Sequence, residues 1–136
     1  MTIKAYADAS FKNNKAGIGI FVKCDDKNIC KINYTTNKCS NAMEAELHAI
    51  YRILMFLVKN QQRNKIQSNI RILVFSDCKG IVSSICRKKV SQKYINNNIF
   101  ESCRLYKSIL STNNMFNLIW IPRKANKVAD KLSKKY

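Results

Sequence analysis

Four of the eight acidic residues of this chain stand where an apolar side chain would be expected. Asp8 lies inside the strand-like opening Ile3-Lys4-Ala5-Tyr6-Ala7-Asp8-Ala9-Ser10, and Glu46 falls on the apolar stripe of a long helical segment. Asp77 ends the run Ile72-Leu73-Val74-Phe75-Ser76-Asp77, and Asp130 belongs to a short terminal helix behind Trp120-Ile121-Pro122. Taking a lone carboxylate out of water is costly, so a buried acid is normally paired, neutralised or bound to a metal. Four carboxylates that converge would make an oxygen-rich site for hard divalent cations.

The composition gives that cluster a context. The chain carries 25 Lys and Arg against 8 Asp and Glu, a net charge of +17. Such a charge speaks of partners rather than fold, and nucleic acid is the commonest polyanionic partner. An acidic centre repels phosphate unless cations lie between them, so a basic surface around a metal-loaded acidic centre is the charge layout of a nuclease. A basic binding module whose acids are ordinary surface residues fits the composition equally well. Six cysteines form no CxxC pair and the single histidine, His48, stands alone, so zinc-site spacing is absent. Reduced thiols acting as small apolar fillers are expected. With 46% apolar residues the chain is expected to fold, as one domain over 1–136. It has no apolar run long enough for a membrane span. Its N-terminus lacks a signal-peptide pattern, which points to an intracellular (cytoplasmic or nucleoid/nuclear) rather than secreted protein.

The elements that must carry the acids follow from periodicity. Strands are expected over 2–11, 16–23 and 29–36, separated by turns at Asn13-Asn14 and at Asp25-Asp26-Lys27-Asn28. A long helix starts at an Asn41 N-cap, with Glu44 as capping-box partner, and runs to about Lys59. Glu46 shares its face with Ala42, Ala49, Ile50 and Ile53 and so points inward, whereas Glu44 shares a solvated side with His48 and Arg52. Gln61 to Asn69 reads as a loop, 70–76 as a central strand, and Cys78 to Lys89 as a helix after a start at Gly80. Arg87, Lys88, Lys89 and Lys93 make a basic connection to a helix over 94–112, broken by Asn113-Asn114. On a fifth strand over 116–121, Trp120 is expected in the core rather than stacked on a base, and 126–135 forms the last helix. The order βββαβααβα is an α/β class with a mixed sheet. A central first strand beside the fourth, with helices crossing the sheet, would bring Asp8, Glu46, Asp77 and Asp130 together at the carboxyl ends of strands.

Four stretches in this order resemble the type 1 ribonuclease H family across nearly the whole chain. They are Tyr6-Ala7-Asp8-Ala9-Ser10, Ala45-Glu46-Leu47-His48-Ala49, Phe75-Ser76-Asp77-Cys78, and the most specific one, Trp120-Ile121-Pro122-Arg123 with Asn126 and Ala129-Asp130-Lys131-Leu132. The resemblance implies a ribonuclease H-like fold: three antiparallel strands and two further strands in one sheet flanked by helices. It implies a metal-dependent endonuclease that hydrolyses the RNA strand of RNA–DNA hybrids and leaves a 3′-hydroxyl and a 5′-phosphate. It also implies two Mg²⁺ ions, with Mn²⁺ as a substitute. By matching position, Asp8 would bridge both ions, Glu46 and Asp77 would share one, and Asp130 would complete the other. Two cations about 3.5–4 Å apart can activate the attacking water and stabilise the leaving oxygen, so no side-chain nucleophile is needed.

The chain departs from the family in three places. Many relatives carry a histidine in a loop before the last helix; here that loop is cut to Arg123-Lys124-Ala125, as in the short branch of the family. Slower or differently pH-dependent turnover is expected, with Arg123 or Lys124 either contacting the scissile phosphate or forming a solvated turn. The basic handle of some relatives is absent, leaving Arg87, Lys88 and Lys89 to meet phosphates as point charges. Of the positions that sense the ribose 2′-hydroxyl, Ser10 fits one. Ala42 occupies the other, with Asn41 one residue early and also suited to capping. Asn126, four residues before Asp130, would border the site or cap the last helix. The expected partner is an RNA–DNA hybrid, met by a monomer or by a component of a larger replication complex. A non-catalytic basic nucleic-acid-binding module, or another nuclease on the same fold, are the alternatives.

Overall fold

Asparagine is one of the few residues that enters the left-handed region at little cost, and Asn13 and Asn14 both do so, at φ 53° and 60°. They close a two-residue hairpin between β1 (Thr2–Lys12) and β2 (Lys15–Cys24), and Asp25, at φ 53°, turns β2 into β3 (Lys27–Thr36). This second turn is tighter than the four-residue turn expected from the sequence, because one left-handed aspartate suffices. The computed structural model describes residues 1–134. The elements that follow are α1 (Ala42–Gln62), β4 (Arg71–Ser76), α2 (Lys79–Cys86), α3 (Asn98–Asn113), β5 (Met115–Trp120) and α4 (Lys127–Ser133), with single 3₁₀ turns at Gln92–Tyr94 and Arg123–Ala125.

The five strands form one mixed sheet in the order β3-β2-β1-β4-β5. β1 pairs antiparallel with β2 and parallel with β4, and β4 pairs parallel with β5. The fold is the α/β ribonuclease H-like architecture expected from the sequence.

Alternation along β1 and β2 sorts the sheet into two faces. Ile3, Ala5, Ala7, Ala9, Ile18, Ile20 and Val22 point into the main core with Ala49, Ile50, Ile53 and Leu57 of α1. Ile81 and Ile85 of α2 and Phe100, Cys103 and Leu110 of α3 complete that core. The other face carries Lys4, Tyr6, Asp8 and Gly19, and among the described residues only α4 crosses it, burying Ala129 and Leu132 outside the main cluster.

Several boundaries differ from the sequence reading for identifiable reasons. Helix α1 continues through Gln61, whose buried side chain exchanges two 2.9 Å amide hydrogen bonds with Asn114. Helix α2 starts at Lys79 and stops at Cys86, so Arg87, Lys88 and Lys89 lie beyond it. Residues 95–97 are not helical; Asn97 caps α3 by accepting from the Phe100 amide at 3.0 Å. Strand β5 starts and ends one residue earlier than expected, with Ile121 already past it. The last helix begins at Lys127, and its expected end at 135 lies outside the described residues. No helix of the described residues is long and apolar enough to cross a membrane.

Candidate metal centre and nucleic-acid surface

The two faces of the sheet meet at a gap. β4 pairs with β1 only from Thr2↔Arg71 to Ala7↔Ser76, while β1 runs on to Lys12. Beyond Ala7 the edge of β1 has no strand beside it, and carboxylates from both sides of the sheet can enter. Asp77 comes in directly behind Ser76. Glu46 enters from the first turns of α1, where its Oε1 accepts from the Ala9 amide at 2.9 Å, a donor freed by the end of β4. Helix α4 brings Asp130 across the opposite face.

Asp8 is fully buried, at 0% exposure. Oxygens of Asp8, Glu46 and Asp77 lie within 4.8 Å of one another. Asp130 joins from the far side of Asp8, outside that group of three but near enough for the two carboxyls to act on each other's charge. The structure thus gathers all four sequence-nominated acids, three as a tight group and the fourth beside Asp8.

The close approach of α4 depends on Gly19, which lies opposite Asp8 in the β1–β2 register. A Cβ on Gly19 would overlap the Ala129 carbonyl and the Ser133 amide and stand 2.9 Å from the Leu132 Cβ. The first two are backbone atoms that no rotamer change can move aside. The sequence gives only a glycine in a strand, a weak sign of close backbone approach, so this residue escapes motif reading.

The electrostatics are those of a crowded acidic site. Burial, then the charge of Asp77, raises the Asp8 carboxyl well above the carboxylate range. Burial, then Asp8, raises Glu46 further. Burial also acts to raise Asp130, but the neighbouring Asp8 carboxyl, Lys134 and the charge of Arg123 outweigh this and hold it below its ordinary value.

Every buried side-chain N or O atom without a hydrogen-bond partner among the described residues is an oxygen in this one place: Asp8 Oδ1 and Oδ2, Glu46 Oε2, Asn126 Oδ1 and Asp130 Oδ1. Asp130 Oδ1 has Lys134 Nζ at 3.3 Å without hydrogen-bond geometry. Buried acceptors with no donors are expensive, and a hard divalent cation satisfies several at once. The donor set therefore fits Mg²⁺ or Mn²⁺.

The nominated nucleic-acid contacts fall in different places. Asn126 is almost wholly buried and donates from Nδ2 to the Ala7 carbonyl at 3.0 Å and to Asp77 Oδ2 at 3.3 Å. It stands at the N-cap of α4 but makes no side-chain cap bond; it ties strand, acid and helix together instead. Ser10 donates its hydroxyl to the Ser133 carbonyl at 2.6 Å, which commits its proton within the fold. Asn41 caps α1 by accepting from the Glu44 amide at 2.9 Å, while the Glu44 carboxylate returns to the Ser40 amide rather than to Asn41. Arg123 lines the open cleft with Glu46 and Asp77, whereas Lys124 turns away to line a separate cavity with Tyr6 and Phe21.

Arg87, Lys88 and Lys89 are exposed after α2, away from the carboxylates. The Arg104 guanidinium holds the Arg87 and Lys88 carbonyls at 2.8 and 3.1 Å. Arg104 and Lys107, three residues apart on α3, extend that basic recess and were not evident in the sequence.

Three further expectations change. Trp120 is 43% exposed, not core: it ends the edge strand β5, where Lys79 at the start of α2 lies over its ring, at 5.4 Å, and its indole donates to the Asp77 carbonyl at 3.1 Å. His48 is half-buried rather than on a solvated side, with Nε2 3.1 Å from the Tyr34 hydroxyl; burial, then Arg52 and Lys38, lowers its pKa. The six cysteines are free, but only Cys39 and Cys103 are buried and Cys86 is exposed.

A family model described as reverse transcriptase-like matches residues 6–136. No curated protein sequence matches the chain. Among solved structures, ribonuclease H1 of the halophilic archaeon Halobacterium salinarum superposes with a TM-score of 0.72 at 17% identity, over 97% of this chain and 94% of that one. The compost-metagenome LC11 ribonuclease H1, solved in complex with an RNA/DNA hybrid, gives 0.74 at 22% identity over 96% and 92%. A foamy viral protease-reverse transcriptase, also in complex with an RNA/DNA hybrid, gives 0.65 at 14% identity over 96% of this chain and 19% of that one.

Proposed function

We propose, from the premise that this chain belongs to the reverse transcriptase-like family, that it is a metal-dependent endonuclease that cuts the RNA strand of RNA–DNA hybrids. One observation carries the reading: the buried, donor-less oxygens around Asp8, whose nearest partners are other carboxylates. Such an arrangement is unfavourable alone and suits cations carried to a phosphodiester. The hybrids bound by two of the structural neighbours support the substrate class.

Asp8, Glu46, Asp77 and Asp130 would hold the two divalent ions. Bound ions would supply Lewis acidity for the attacking water and the departing 3′-oxygen. The chain's own residues do the rest. The Ala9 amide fixes one oxygen of Glu46, and Asn126 fixes Asp77 against the backbone of β1. Arg123, at the cleft, meets the phosphate that the acids would otherwise repel. Arg87, Lys88 and Lys89 add sequence-independent attraction along the duplex. The unit of action is the single domain, alone or within a larger replication assembly.

The test is cleavage of an end-labelled hybrid with Mg²⁺ or Mn²⁺, with duplex DNA and duplex RNA in parallel. The expected result is cuts in the RNA strand of the hybrid ending in 5′-phosphate and 3′-hydroxyl. An intact hybrid at every concentration of either ion would reduce the protein to a binding module. Cutting of duplex DNA in preference would make it a different nuclease of the same fold.

A further inference from the structure

Helix α4 covers only part of its face of the sheet. Beside it the sheet shows a ring ladder: Tyr6 stacks on Phe75 at 4.9 Å and on Phe21 at 5.8 Å, with interplanar angles of 24° and 25°. Tyr6 is half-buried and forms the floor of a cavity of about 220 Å³ between the sheet and the start of α4. The cavity is large enough for one nucleobase, and Lys23, Lys124 and Lys127 line it.

The charge of this face is one-sided. Lys4 and Lys23 stand directly opposite each other on β1 and β2, a like-charge pair that costs stability in a sheet. Lys31 lies over the Phe21 ring at 5.6 Å. Among the described residues the one ion pair is Lys134–Asp130, so no acid neutralises these lysines. Asp25, at the turn after β2, accepts from the Thr2 amide at 2.9 Å. Aromatic rings beside unpaired cations suit single-stranded nucleic acid, because any base can pack against them and its phosphates supply the missing anions.

We propose that this sheet face is a second nucleic-acid surface that binds a single strand, with a base seated in the cavity against the Tyr6 and Phe21 rings and its phosphates held by Lys4, Lys23 and Lys127. The segment 123–126 divides it from the carboxylate cleft: Arg123 looks to the acids and Lys124 to the cavity. The surface is distinct from the cleavage site and is read without metal.

Binding of a fluorescent oligothymidylate in EDTA, followed by anisotropy across a salt series, tests it. The Lys4→Glu/Lys23→Glu double variant changes one exposed and one half-buried residue, and its melting curve reports folding. It should weaken binding at least about tenfold and lower the salt slope by about 1.4, since each lost phosphate contact to a single strand removes about 0.7. Tyr6→Leu should weaken binding with the slope unchanged. Photocrosslinking with an iodouracil-containing strand should mark Tyr6. Undiminished binding by the double variant, crosslinks confined to the carboxylate cleft, or equal affinity for polyglutamate would each overturn the proposal. Hybrid cleavage by the double variant is a separate measurement, so failure of this surface and failure of the nuclease reading remain distinguishable.

Discussion

Asp8 holds its position against a strong desolvation cost, and both its oxygens face other acids. Asp8→Asn keeps the shape and removes one charge. It should abolish hybrid cleavage while leaving hybrid binding equal or tighter; cleavage at the native rate would exclude Asp8 from the chemistry. The pH response of the metal-free protein follows from the same crowding. Asp8 and Glu46 are raised to about 7 and about 9 in the fold, above their unfolded values near 4. The folded state therefore binds more protons than the unfolded one between those limits, and stability falls as pH rises through them. Asp130, held low, contributes the opposite slope only at acid pH. Melting in EDTA should thus drop steadily from about pH 5 to pH 9, and Asp8→Asn should flatten the curve. A melting temperature constant over that range would contradict the burial of unpaired carboxylates. Asp8 and Glu46 are legible in the sequence because an acid interrupting an apolar period is conspicuous. Trp120 is not, because a strand residue is buried only if a helix happens to lie over it.

Among elements, α4 and the start of α1 approach one strand from opposite faces. The meeting depends on two features: the early end of β4, which frees the Ala9 amide for Glu46, and the missing side chain of Gly19. Gly19→Ala should cost about 1–3 kcal/mol through overpacking against backbone. It should reduce cleavage far more than the stability loss alone explains, because it pushes Asp130 away from Asp8. A crystal structure or amide chemical shifts of α4 would register the displacement, and full activity with unchanged stability would refute it. The strand and helix order is legible from periodicity and turn residues. The need for Gly19 is not, because it arises from a helix more than a hundred residues later in the chain. The exchange between Gln61 and Asn114 is hidden in the same way: each looks like a loop amide until the other is beside it.

For the whole molecule, a +17 chain with an acidic centre has two opposed responses to ions. Divalent cations that bind only the folded state stabilise it by mass action, by about 2.7 kcal/mol at a hundredfold excess over Kd. Mg²⁺ should therefore raise the melting temperature, most clearly above pH 8 where the acids would otherwise repel one another, and the Asp8→Asn variant should lose most of that gain. Monovalent salt acts on the surface instead. Reversing Arg87, Lys88 and Lys89 to Glu should weaken hybrid binding and lower its salt slope by about 2.7, near 0.9 per phosphate contact. An unchanged slope would remove that patch from the duplex path.

Helix α4 rests on the sheet apart from the main core, with seven residues of which Ala129, Leu132 and Ser133 are buried. Its hydrogen bonds are thus expected to open well before those of α1, and amide exchange in 127–133 should outrun exchange in 45–58. Each such fraying event would carry Asp130 off while Asp8, Glu46 and Asp77 stayed seated. The centre would then have a resting state reached by loosening this one short helix, with the rest of the protein intact.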